Sequence, residues 1–333
     1  MGDANPDSIQ AAEPAPGEVS HVASHDESDP ESEWDPNQPF IVSDDKPTVL
    51  ITGCSDGGIG SALALKFWDR GYHIYATARH VGNMQAMSCL SDVAMLQLDV
   101  TKPEDIREAA DVVARQTGFR GLDILVNNAA QPHFMPLLDE DLDKVRDTFE
   151  VNYMAPLAVT QAFAPLLLKS KGMAVFVTSI AGHVNIPYIG TYSASKCATE
   201  MMAETLRHEL RPFDVDVMEI VTGGVKSKGQ SHFDDYTLPE GSLYKSIEHV
   251  IKSRAQGHDG MPRMDTMEYA TGVVDEILSR RTKGRFWYGT GADLAKGMMM
   301  PAGYDQDAMD AIAVKGQGLD ELGKKMTLEA RGR

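Results

Sequence analysis

The sequence predicts one α/β domain built on a doubly wound parallel sheet of about seven strands, with helices on both faces. Three observations carry this. Short apolar runs alternate with helical stretches from Pro47 to Tyr288. The runs are apolar nearly throughout, as strands covered on both faces require. The first run passes into a helix through a glycine-rich turn.

The elements follow in order. Pro47 to Gly53 reads as the first strand, and Ser61 to Arg70 as a helix ended by Gly71. Tyr72 to Arg79 and Val93 to Val100 read as strands two and three, with Pro103 opening the next helix. Leu122 to Val126 is the fourth strand. A long helical region spans about Asp139 to Lys171, with a break expected near Asn152 to Pro156. Met173 to Thr178 is strand five, and a helix carrying Tyr192 and Lys196 runs to about Pro212. Val215 to Val221 and Arg285 to Tyr288 close the set. This is a Rossmann-type order without internal repeats. The expected organisation is an acidic tail at 1–45, a catalytic domain at 46–290 and a C-terminal extension at 291–333.

Composition excludes several classes. The net charge is −18, but residues 1–45 hold twelve acids and no Lys or Arg, so the other 288 residues carry only −6. Such a stretch buries too little apolar surface to offset its chain entropy and is expected to be disordered; Trp34 and Phe40 are its only candidate docking residues. No basic stripe suggests nucleic acid. No run of eighteen apolar residues suggests a transmembrane segment, and no secretory or myristoylation signal opens the chain. Cys54, Cys89 and Cys197 are too scattered for a disulfide framework or a zinc site, and no other metal site is expected. A reducing, cytoplasmic setting follows.

The turn Thr52 to Gly60 sits between the first strand and the first helix. Glycines there let the backbone approach a pyrophosphate, and a helix N-terminus offers amide donors and positive potential. Strand two ends Ala76-Thr77-Ala78-Arg79, with no acid to bind ribose hydroxyls. A guanidinium suits a 2′-phosphate instead, so the expected cofactor is NADP(H), with Arg79 as discriminator. Tyr192 and Lys196 stand four residues apart and share one helix face. An ammonium beside a phenol favours the phenolate, so Lys196 is expected to lower the Tyr192 pKa. That suits proton transfer to or from a carbonyl/alcohol pair.

Together these residues resemble the short-chain dehydrogenase/reductase family over about Pro47 to Tyr288. Thr52 to Gly60 resembles the family's nucleotide turn, Asp99-Val100 its adenine-contacting pair, and Asn127-Asn128-Ala129-Ala130 its motif after strand four. Asn152, Ser179, Tyr192 and Lys196 match the catalytic tetrad, with Ser179 thirteen residues before Tyr192. Thr222 to Ser227 stands where the family has Pro-Gly-x-Val-x-Thr. The resemblance implies cofactor contacts from Gly53, Ser55, Gly58, Ile59, Gly60, Arg79, Asp99, Val100, Asn128, Ala129, Tyr192, Lys196, Gly223, Val225 and Ser227. It implies that Tyr192 donates a proton, Ser179 holds the carbonyl oxygen and Asn152 holds a water that relays protons to Lys196. It also implies a homodimer or homotetramer.

Two departures stand out. The turn runs Gly53-x-x-x-x-Gly58-x-Gly60, one residue longer than usual, so a bulge is expected at Ser55-Asp56; and Thr222 replaces a proline. Both resemble a fungal subgroup that includes NADPH-dependent 1-acyldihydroxyacetone phosphate reductases and reductases of secondary metabolism. An NADPH-dependent ketone reductase is implied, acting on a lipid ketone of that kind or on a polyketide-type substrate. A silent NADP(H)-binding sensor is a third reading. A lipid substrate would bring weak membrane association and a peripheral place on the endoplasmic reticulum or a lipid droplet. The segment Val225 to Met264 mixes aromatics with Lys226, Lys228, Lys245, Lys252 and Arg254, as a substrate lid or a solvated loop would. His133 and His183 flank the expected cleft as substrate contacts or surface histidines, Cys197 is expected to pack, and Met201 and Met202 to lie in the core or a subunit contact.

Overall fold

The computed structural model describes residues 42–331, apart from 44, 119, 301–304, 316 and 318. Most of the acidic stretch, with Trp34 and Phe40, lies outside the described residues. Val42, expected to belong to the tail, is already part of the domain. It is buried against the core, and its amide donates to Gln116 O at 2.8 Å.

The chain runs β1 (Thr48–Ile51), α1 (Ile59–Asp69), β2 (His73–Ala78), β3 (Val93–Gln97), α2 (Pro103–Gln116) and β4 (Ile124–Asn127). Then follow α3 (Leu142–Phe149), α4 (Ala155–Ser170), β5 (Met173–Ser179), α5 (Gly190–Leu210) and β6 (Asp216–Thr222). The rest is α6 (Glu248–Ala255), α7 (Thr266–Ser279), β7 (Gly284–Tyr288), α8 (Ala292–Met299), α9 (Gln306–Val314) and α10 (Leu319–Arg331). The seven strands form one sheet in the order β3-β2-β1-β4-β5-β6-β7, and every pairing is parallel. Side chains such as Ile51, Ile74 and Val126 pack with α1 and α7 on one face; Leu50, Tyr75 and Phe176 pack with α2, α4 and α5 on the other. The strand order reverses between β1 and β4, which opens a crevice beyond their carboxyl ends.

The break expected near Asn152 to Pro156 is instead a single π-helical turn, Glu150–Met154, inside a continuous helix. Pro156 has no N–H for the carbonyl four residues back. That carbonyl, Asn152 O, is taken by Thr199 Oγ1 at 2.6 Å. The proline therefore frees an acceptor that ties the helix to α5. The stretch Leu142–Ser170 is long and apolar enough to cross a membrane by composition, but Val159, Phe163 and Leu167 of it are buried in the core.

Candidate active site

The crevice is floored by main chain. Gly53 has φ +76°, and a Cβ on it would lie 2.9 Å from Ala129 Cα. A Cβ on Gly60 would meet Gly53 O at 2.4 Å and Asn128 Nδ2 at 2.5 Å. Asn128 Nδ2 donates to Thr52 O at 2.8 Å and Gly53 O at 3.1 Å. Thr52 Oγ1 accepts the amides of Asn128 and Ala129, each at 3.0 Å. The turn after β1 and the loop after β4 are thus stitched together, and the Asn128 side chain is committed to holding the turn.

The extra residue of the turn bulges as expected. Gly57 takes φ +75°, and Asp56 swings outward so that its carboxylate accepts the amides of Gln85 at 2.8 Å and Ala86 at 3.1 Å. Ser55 is exposed, Ile59 half-buried, and no side chain caps α1 at Gly58. An uncapped helix N-terminus, reached over glycines, is the donor set a pyrophosphate needs. Arg79 directly follows β2 and is exposed. Asp99 lies near it beside the half-buried Val100. Burial pushes the Asp99 carboxyl up, but bonds from Thr101 and the Lys102 and Arg79 charges outweigh that and leave it below the usual carboxylate range. These residues fit NADP(H).

Thr222, in place of the family's proline, shares a hydrogen bond with the Tyr269 hydroxyl at 2.6 Å. Gly223 donates from its amide to Tyr288 O at 2.8 Å, and a Cβ there would meet Thr290 O at 2.4 Å, so this turn is sewn to the end of β7. Val225 is buried. Ser227 caps the next turn by accepting the Gly229 amide at 3.4 Å, and Lys228 lies across Gly57.

Three of the four tetrad side chains converge at the end of β5. Ser179 is its last residue, and its hydroxyl lies close enough to the Tyr192 phenol to lower its pKa. Lys196 is buried; its Nζ donates to Val177 O at 2.9 Å and lies 5.9 Å from the Tyr192 ring centroid. Here the structure corrects an expectation. Burial holds the phenol above its ordinary pKa, and the Ser179 hydroxyl offsets this only in part. One of the three N–H donors of the Lys196 ammonium is taken by the Val177 carbonyl. Burial pushes the Lys196 pKa down to about 8, against the Glu219 charge that raises it.

Asn152 is buried in the π turn, and its side chain is also committed. Its Oδ1 accepts the Gln131 amide at 2.7 Å; its Nδ2 donates to Gln131 O at 3.0 Å and Ser195 Oγ at 2.9 Å. It clamps the loop after β4 to α5, and its main-chain carbonyl accepts from Thr199.

The other candidates divide. His133 is half-buried and held by Glu140 Oε2 at 2.6 Å; Glu140 also accepts from Thr191 Oγ1 at 2.5 Å, next to Tyr192. His183 packs against the Trp287 ring at 4.5 Å between centroids and lies 2.8 Å from Glu200 Oε2, so it is no surface histidine. Cys197 is exposed, contrary to the expectation that it packs. Met202 is buried and Met201 exposed.

The aromatics Phe233, Tyr236 and Tyr244, expected in the variable segment after β6, meet Phe134 and Tyr188, which sequence reasoning did not single out. Phe134 packs on Tyr188, Phe233 and Tyr236 with centroids 6.3, 6.0 and 6.2 Å apart, and Tyr188 on Tyr244 at 6.1 Å. Tyr188 has φ +74°, a conformation costly for any residue but glycine. It is held there by the Met135 amide, which donates to its carbonyl at 2.7 Å. The buried Glu219 and Glu200, with the half-buried Arg285 that pairs with both, were missed too. Their signal was a lone acid in the apolar run of β6.

A model of the short chain dehydrogenase family matches residues 47–236. The short-chain dehydrogenase ptmH of Penicillium ochrochloron is 42% identical over 237 residues, 71% of this chain and 86% of the relative. An NADPH-dependent 1-acyldihydroxyacetone phosphate reductase of Schizosaccharomyces pombe is 36% identical over 245 residues, 72% of this chain and 80% of the relative. Among solved structures, a short-chain dehydrogenase from Streptomyces avermitilis superposes with a TM-score of 0.66 at 22% identity, covering 85% of this chain and 99% of that one. One from Burkholderia cenocepacia, in complex with NADP, gives 0.61 at 24% identity, covering 81% and 98%.

Proposed function

The chain belongs to the short-chain dehydrogenase family, and we propose that it is an NADP(H)-dependent oxidoreductase that reduces a ketone with Tyr192 as proton donor. The observation that carries this reading is the meeting of Ser179, Tyr192 and Lys196 at the end of β5, beside the uncapped turn before α1. NADPH supplies the hydride when bound. A phenol kept protonated at neutral pH is the form that reduction consumes. Tyr192 gives that proton to the ketone oxygen while Ser179 donates a hydrogen bond to the same oxygen and shares its developing charge. Lys196 then stabilises the phenolate left behind, by its charge across the ring rather than by a bond to it. Arg79 binds the 2′-phosphate.

The substrate that fits best is an aromatic, uncharged ketone of the polyketide type rather than a phosphate-bearing lipid. The wall formed by Phe134, Tyr188, Phe233, Tyr236 and Tyr244 supports this. Lys245 is spent on Glu248 and Leu238 O, each at 3.0 Å, and Lys228 lies over Gly57. The homodimer or homotetramer expected of the family would use α4 and α5, which expose Leu168 and Met201. NADPH oxidation with a fused-ring aromatic ketone, against the same assay with 1-acyldihydroxyacetone phosphate, tests the substrate reading. A higher kcat/KM for the lipid overturns it, and no oxidation with any ketone or quinone points to the silent sensor.

A further inference from the structure

We propose that Glu140 is a positioning residue: it ties the aromatic wall to the start of the helix that carries Tyr192, and so sets where the carbonyl of a ring-bearing ketone meets the phenol. The inference rests on the aromatic-ketone reading given above.

The loop after β4 ends in a single turn, Leu137–Asp139, and Glu140 follows it. The Glu140 side chain is 5% exposed, a costly place for a carboxylate unless its oxygens are paired. Both are. Oε2 lies 2.6 Å from Nε2 of His133, the residue before Phe134. Oε1 accepts from Oγ1 of the buried Thr191 at 2.5 Å, and Thr191 is the residue before Tyr192. Phe134 and Tyr192 are thus each one residue away from a side chain that this carboxylate holds.

The start of α5 suits that carboxylate. The helix begins at Gly190 with no acid in its first turn and no side-chain cap. Unpaired amides and the helix dipole favour a negative charge there, and Glu140 brings one from another segment. Gly190 lets the loop come close, since a Cβ on it would lie 2.7 Å from Leu137 Cδ2. The neighbouring acid holds the other end of the wall. Asp139 Oδ2 accepts from Ser242 Oγ at 2.6 Å, and Ser242 Oγ accepts the Tyr244 amide at 3.0 Å. Tyr244 packs in turn on Tyr188. Two consecutive carboxylates thus fix rings from two segments, and Glu140 carries that arrangement to the helix.

A ring seated on the wall presents its carbonyl at a place this linkage sets. With the linkage cut, the ring keeps its wall and the phenol keeps Ser179 and Lys196, but the separation between them is no longer fixed. Misplacing a reacting pair by about 1 Å costs about a hundredfold in rate. A ketone too small to touch the wall does not depend on the linkage.

The test compares α-tetralone, a fused-ring ketone, with butanedione as substrates of the full chain with NADPH. In Glu140→Ala, kcat for tetralone is expected to fall about tenfold with KM little changed, while both constants for butanedione hold. Glu140→Gln keeps an acceptor for Thr191 and is expected to restore most of the loss. Thr191→Val should give the tetralone loss on its own, and combining it with Glu140→Ala should add nothing further. An equal loss with both ketones, a rise in tetralone KM alone, or additive losses overturns the proposal. A second readout needs no turnover: NMR of 13C-labelled tyrosine rings, with Tyr192 assigned by its disappearance in Tyr192→Phe. Saturating tetralone is expected to shift the Tyr192 signal of the natural chain, and to shift it less than half as far in Glu140→Ala. Equal shifts in the two overturn the proposal. Absence of NADPH oxidation with either ketone would sink the reductase reading and leave these shifts to judge Glu140. Should Glu140→Ala not fold, Thr191→Val, close in shape to the natural side chain, carries both measurements.

Discussion

The wall of the cleft built by Thr52–Gly60 and Asn128–Ala129 is made of backbone, and the wall around Phe134 is made of side chains. In the first, a Cβ added at Gly60 would have to pass within 2.4 Å of a carbonyl oxygen. In the second, rings from the loop after β4, from Tyr188 before α5 and from the segment after β6 meet at centroid distances near van der Waals contact. The difference teaches what each wall can recognise. Fixed amides and glycines suit a ligand that never changes. Rings carried by three loops set shape and can vary without disturbing the sheet. Tyr192 and Lys196 lie on α5, which follows Tyr188 of the second wall.

Removing the proposed proton donor should have the largest effect. Tyr192→Phe is expected to lower ketone reduction by about a thousandfold, while NADPH titration shows the backbone wall still binding. Arg79→Ser should act on the backbone side alone. Losing a charge-assisted hydrogen bond of about 2 kcal/mol predicts roughly a thirtyfold fall in the preference for NADPH over NADH, read as the ratio of kcat/KM values. Gly60→Ala should cost about 2 kcal/mol of overpacking, seen as a lower Tm and weaker NADPH binding together. Phe134→Ala should act on the side-chain wall alone. It should raise KM for a fused-ring ketone about fivefold, from roughly 1 kcal/mol of lost ring contact, with kcat and NADPH affinity little changed. A change in NADPH affinity there would mean the walls are not independent.

A pH profile joins the two walls. Lys196 is an ammonium below about 8 and loses its charge above it. If the charge stabilises the phenolate, kcat for reduction should hold through neutral pH and fall as pH rises through that value. Steady-state rates at saturating NADPH would show it.

The backbone wall was legible in the sequence because its parts are local. Glycines at fixed spacing after a strand, an Arg at the end of the next and Tyr-x-x-x-Lys each lie within a few residues. The sheet was legible for the same reason: buried parallel strands are short apolar runs. The aromatic wall was legible only in part: Phe233, Tyr236 and Tyr244 stand out in the segment after β6, but Phe134 and Tyr188 join them only through the fold. The raised Tyr192 pKa was not legible, since spacing places Lys196 beside the phenol but does not say that its Nζ turns to Val177 O. The π turn followed from Pro156, which marked an interruption without saying that Asn152 O would find Thr199.

The most direct measurement is NADPH oxidation by the full chain and by Tyr192→Phe with the same aromatic ketone, alongside NADPH binding to both. The account predicts turnover by the first, about a thousandfold less by the second, and equal binding by both. Comparable turnover by the Tyr192→Phe variant, with its fold and binding intact, would contradict it.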